Sequence, residues 1–185
     1  MHYSRSQLLE ALTQTQDSLV YYRLLALYGK TFFVSSDFDS ILYYNRRVKE
    51  FSRNASQSSE SLQSPRWNDV LSDVYNIEGN VWMQLNRPDS AIIDYKKAYG
   101  YRLEGKKLHL LPDICINIAD AYLHRSDLAH TASYYRRALF LCDSLNLSER
   151  RNFLSTTDWG RLIWNCAISI YPIITMNWPG SSSMK

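Results

Sequence analysis

NIEGNVWMQLNRPDSAIIDYKKAY, residues 76–99, reads as two amphipathic helices joined by a tight turn. Gly79 and Trp82 stand three apart on the first helix. Ala91, Tyr95 and Ala98 stand four and three apart on the second, and both spacings place their residues on one helical face. Between them, Asn86-Arg87-Pro88-Asp89-Ser90 is a helix stop followed by a helix start. Pro88 is tolerated in a first turn, where no backbone donor is needed. The small residues let two backbones approach while the aromatics fill the space alongside. One such hairpin cannot bury its apolar face alone, so the stretch predicts neighbours of the same kind.

These residues resemble the tetratricopeptide repeat, whose pattern is W-x2-L-G-x2-Y on helix A and A-x3-F-x2-A on helix B. With Gly79 at repeat position 8, Tyr75 falls at 4, Trp82 at 11, Ala91 at 20, Tyr95 at 24 and Ala98 at 27. Glu78 departs from the pattern at position 7, where Leu is usual. The register recurs twice. Leu25, Tyr28, Gly29, Phe32, Ile41 and Val48 fill positions 4, 7, 8, 11, 20 and 27 of an earlier copy, with Asn45 replacing the aromatic at 24. Cys115, Ile118, Ala119, Tyr122, Thr131, Tyr135 and Ala138 fill 4, 7, 8, 11, 20, 24 and 27 of a later one. Gly29 to Gly79 is 50 residues and Gly79 to Ala119 is 40. Both exceed the family's 34-residue unit, which implies longer helices and one insertion.

The resemblance implies an all-α fold, a right-handed superhelical solenoid of antiparallel helix pairs with about three repeats. Residues 1–17 form an N-terminal helix or cap, with Leu8, Leu9 and Leu12 on one side and Asp17-Ser18 offering the next N-cap. The repeats occupy 18–147, as 18–53, 66–105 and 110–147, with a polar, Ser-rich flexible loop over 54–64. Helix B of the middle copy runs from Pro88 to Glu104, and Gly105 marks its exit.

Composition agrees with helix. The chain has 185 residues, enough for one continuous core, and only 6 Gly and 5 Pro, too few for a turn-rich β fold. Its 14 Tyr suit seams between helices, where a ring packs and its hydroxyl stays wet. The net charge of +3 comes from intermixed acids and bases. Arg46-Arg47, Lys96-Lys97 and Arg136-Arg137 recur at positions 25 and 26. They form either a basic ridge or a solvated outer helix face, and without aromatic interleaving nucleic-acid binding is not expected. Cys115, Cys142 and Cys166 are odd in number and lack C-x-x-C spacing, so neither a disulfide framework nor a zinc site is indicated. The four histidines show no metal-binding spacing, and no phosphate loop or nucleophile elbow occurs, so no enzyme, cofactor or metal site is expected. The first 16 residues lack the apolar core of a secretory signal, so a cytoplasmic chain is expected, or a periplasmic one should the true start lie upstream.

Residues 148–185 break the pattern. Polar residues and Pro172 interrupt the apolar run at 158–185, so a membrane span is not expected. Reading the coding DNA one base earlier is informative. Asp158 with Trp159 must then give Leu, Trp159 with Gly160 must give Gly, and Trp178 with Pro179 must give Ala, whichever synonymous codons are used. These are repeat positions 7, 8 and 27, and the shifted frame permits Tyr at 11 and 24. Three such hits arise by chance on the order of once in a thousand trials. A frameshift between about Ser148 and Asp158 is therefore expected.

In the family, the concave face is lined by helix A positions near 2, 5, 9, 12 and 13. On this chain those are Arg23, Ala26, Lys30, Phe33 and Val34; Asp73, Asn76, Asn80, Met83 and Gln84; and Asp113, Ile116, Asp120, Leu123 and His124. The amides of Asn76 and Asn80, four apart, can both donate to and accept from an extended peptide backbone. The expected function is a non-catalytic scaffold that binds a protein or peptide partner on this face. A second expectation is a sensor fragment of a longer bacterial signalling or transcription regulator, which the D-S-A-I-x-x-Y start of helix B also resembles. An unfinished array would expose the apolar side of its last hairpin, so self-association is an expected consequence.

Overall fold

A computed structural model describes residues 4–58, 65–105 and 107–147. Seven α-helices and no strands occur among the described residues: α1 (Arg5–Gln14), α2 (Ser18–Lys30), α3 (Phe38–Ser58), α4 (Pro65–Gln84), α5 (Pro88–Glu104), α6 (Leu111–His124) and α7 (Leu128–Ser144). Two 3-10 segments, Thr31–Ser35 and Leu108–Leu110, extend α2 and precede α6. The expectation for residues 148–185, the shifted frame included, lies outside the described residues. No described helix is long and apolar enough to cross a membrane.

Neighbouring helices pair antiparallel. In α4–α5, Trp82 Nε1 donates to Asp94 Oδ2 at 2.8 Å near the turn, and Ser72 Oγ donates to the Ala98 carbonyl at 2.8 Å farther from it. In α6–α7, Ala119 and Cys115 face Tyr135, Ala138 and Cys142 in one buried cluster. In α2–α3, Tyr22 stacks on Phe51 at 4.1 Å while Tyr28 meets Tyr44 edge-on at 5.2 Å. Each crossing sits on a small residue. A Cβ at Gly79 would overlap the Tyr95 ring, and one at Gly29 would lie 3.0 Å from Tyr44 Cβ. Ala119 is fully buried, and its carbonyl accepts from Thr131 Oγ1 at 3.4 Å.

The turns repeat as faithfully as the crossings. Ser36, Asn86 and Ser126 all occupy register position 15, and all adopt the left-handed conformation, at φ 54°, 55° and 59°. In each turn two N–H groups reach back. Those of Ser36, Asn86 and Ser126 donate to Phe33, Met83 and Leu123, and those of Asp37, Arg87 and Asp127 donate to Phe32, Trp82 and Tyr122. This double bond is the Schellman end, which satisfies the last carbonyls of helix A. Helix B then starts beside an acidic residue: Asp37 and Asp127 accept from Ser40 and His130 N–H groups, and Asp89 lies in the first turn of α5.

Glu78, the departure at position 7, is only 4% exposed and is held by Lys49 of α3, with Nζ 2.6 Å from Oε1. Burial raises its pKa, and the Lys49 hydrogen bond and charge oppose that rise. An ion pair thus ties one helix pair to the next. Two local expectations are corrected. Residues 54–58 continue α3 rather than starting the loop, because no Gly or Pro stops a helix there. Of the expected face of α1, Leu8 is buried and Leu12 packs against the core, but Leu9 is exposed.

Candidate functional site

The A-type helices α2, α4 and α6 present three depressions that share residues and so join into one trough. The first, about 180 Å³, lies between α2 and α4 and is lined by Arg23, Ala26, Lys30, Asp73 and Asn76 among others. The second, about 920 Å³, shares Leu27 and Lys30 with it and adds Arg5, Leu8, Phe33, Val34, Asn80, Met83 and Gln84. The third, about 400 Å³, shares Asn80 and Met83 and adds Tyr95, Asn117, Asp120, Leu123 and His124. The trough therefore brings together Arg23, Lys30, Phe33, Asp73, Asn76, Asn80, Met83, Gln84, Asp120 and His124.

Two expected members fall outside it. Asp113 lies in the first turn of α6, where a carboxylate favours the exposed N–H groups of the helix start, and it lines none of the three depressions. Ile116 packs into the α6–α7 core.

The polar side chains are held by internal bonds that decide what each still offers. Tyr95 donates its hydroxyl to Asn80 Oδ1 at 2.7 Å, and Asn117 Nδ2 donates to Asn76 Oδ1 at 2.9 Å. Both side-chain oxygens are engaged from within, leaving the Nδ2 donors of Asn76 and Asn80 to face an occupant. Tyr135 makes the equivalent bond to Asp120 Oδ1, so the hydroxyl at position 24 serves the residue at position 9 in two consecutive pairs. Burial raises the pKa of Asp120, against the Tyr135 bond and the His124 charge. Burial, joined by the Asp120 bond, raises that of Tyr135 and keeps its phenol a donor. Asp73 is paired with the buried Arg102, whose Nη2 lies 2.5 Å from its Oδ1 and whose Nη1 faces Asp69.

Arg5 and Leu8, which wall the widest part of the trough, come from α1 and had no register to reveal them. Arg5 donates to Thr31 Oγ1, the Thr31 carbonyl and Ser35 Oγ, and its guanidinium lies 4.1 Å from the Phe32 ring centre. Leu27, Ile77 and Asn117 all occupy register position 6, and their shared position is the signal that would have found them. The basic pairs on the B helices lean on rings: Lys96 Nζ bonds the Tyr122 hydroxyl at 2.9 Å, Lys97 lies over Tyr75 and Arg137 over Tyr99. No protein-family model, curated protein or solved structure matches the chain.

Proposed function

We propose that this chain is a non-catalytic scaffold of the tetratricopeptide-repeat kind, stacked as a right-handed superhelix, that binds an extended protein or peptide segment along the trough. One observation carries the proposal. Asn76 and Asn80 have their oxygens occupied from within the fold, so their two outward donors suit the carbonyls of a strand-like backbone. A selection from a random peptide library on the full chain tests it. Asn76→Asp with Asn80→Asp keeps both internal acceptors and removes both outward donors. Selected peptides are expected to lose about tenfold in affinity on the double variant while the thermal melt is kept. Equal affinity for both proteins would remove the assignment.

We infer also that the array continues in the other reading frame. The forced Gly and Ala at positions 8 and 27 match the small residues at the crossings of α4–α5 and α6–α7, and the forced Leu at position 7 is apolar like Ile118. Resequencing the coding region decides the matter: a shifted frame that closes at once or carries no further repeat defeats the inference.

A further inference from the structure

Register position 9 points into the trough from each A helix, and its occupants change sign along the array. Lys30 stands on α2, Asn80 on α4 and Asp120 on α6. The other charged groups sharpen the gradient. Arg5 and Arg23 join Lys30 at the α2 end, and among the described residues none of the three is in a salt bridge. Asp73, which lines the same depression as Arg23 and Lys30, is paired with Arg102. At the α6 end Asp120 has a neutral donor, Tyr135, as its partner, with His124 alongside. Between the ends, Leu27, Phe33, Val34 and Met83 line the widest part, and Val34 is 94% exposed. It is an apolar seat next to the basic end.

We propose that the trough selects an extended segment by charge order: an acidic end over Arg5, Arg23 and Lys30, a bulky apolar side chain seated against Val34 and Met83, and a basic end at Asp120. This inference rests on the peptide-binding function above and names the partner's chemistry. Charge complementarity commits it to an acidic-apolar-basic segment, since each end would repel the opposite order.

Three fluorescein-labelled peptides of one composition provide the test on the full chain, read by anisotropy. One runs acidic, apolar, basic from N- to C-terminus, the second is its reverse, and the third alternates the charges. One of the two ordered peptides is expected to bind about tenfold tighter than the alternating one, with the advantage shrinking as salt rises. Lys30→Gln with Asp120→Asn removes both charges while keeping an acceptor for Tyr135. In that variant the advantage is expected to fall to within about twofold. Equal binding of all three peptides, or an advantage that survives the double variant, overturns the charge-order proposal. If all three bind alike and lose affinity with Asn76→Asp and Asn80→Asp, the peptide-binding function stands without it. If neither these peptides nor any library peptide binds, both are lost.

Discussion

The α4–α5 and α2–α3 pairs solve one packing problem in two ways. In α4–α5 the Tyr95 ring at position 24 lies over Gly79, and its hydroxyl reaches Asn80. In α2–α3 position 24 is Asn45, and the ring that crosses Gly29 belongs to Tyr44, one residue earlier. Asn45 turns inward, fully buried, and its Nδ2 donates to the Val74 carbonyl of α4 at 3.3 Å. A crossing thus needs a small residue and a ring, but either of two adjacent positions can supply the ring. The shift has a consequence across the helix: the first pair has no position-24 hydroxyl to engage position 9, and Lys30 stands there with its charge open to the trough.

The strongest way to break the comparison is at the seam between the pairs, where Lys49 meets Glu78. Glu78→Leu places an apolar residue at position 7, as Ile118 does in α6, but strands a largely buried ammonium. It is expected to cost about 3 kcal/mol by urea denaturation. Lys49→Met with Glu78→Leu should recover to within about 1 kcal/mol of the parent, since an apolar pair of similar volume replaces a buried ion pair at little cost. A Glu78→Leu protein as stable as the parent would show that the seam does not depend on the pair.

Next in size is the contrast between the two glycines. At Gly79 an added methyl meets the Tyr95 ring, which is 2% exposed and has nowhere to go. Overpacking of about 3 kcal/mol, less about 1 kcal/mol from the better helix propensity of Ala, leaves Gly79→Ala destabilised by about 2 kcal/mol. At Gly29 the nearest atom is Tyr44 Cβ at 3.0 Å, so α2 and α3 must part by only a few tenths of an ångström. There the two effects cancel, and Gly29→Ala is expected within about 0.5 kcal/mol of the parent. Equal losses at both sites would mean that the two crossings are equally tight.

What the sequence disclosed follows the same division. The bounds of α5, Pro88–Glu104, were legible because Pro88 opens and Gly105 closes the helix. The end of α3 was not, for residues 54–58 carry no breaker. Leu27, Ile77 and Asn117 line the trough from a register position the pattern did not name, and Arg5 and Leu8 enter from a helix outside it. Asp113 has two readings in the sequence, a groove position in the register and a residue near a helix start, and it lies in the first turn of α6. The Lys49–Glu78 pair was illegible from either residue, since it depends on how α3 docks against α4.

The smallest effect sits in the turns. Ser36 and Asn86 hold the same register position with φ of 54° and 55°, so the backbone asks the same of both. The left-handed conformation costs an ordinary side chain about 1 kcal/mol, and Asn less because its amide can bond locally. Gly removes that cost but gives the unfolded chain more freedom, which takes back roughly half of the gain. Ser36→Gly is therefore expected to stabilise by about 0.5 kcal/mol and Asn86→Gly to change nothing beyond a few tenths, as read from paired thermal melts. Were Asn86→Gly to stabilise more, the α4–α5 turn would be the more strained of the two, and the pair that matches the repeat pattern best would not be the better-formed hairpin.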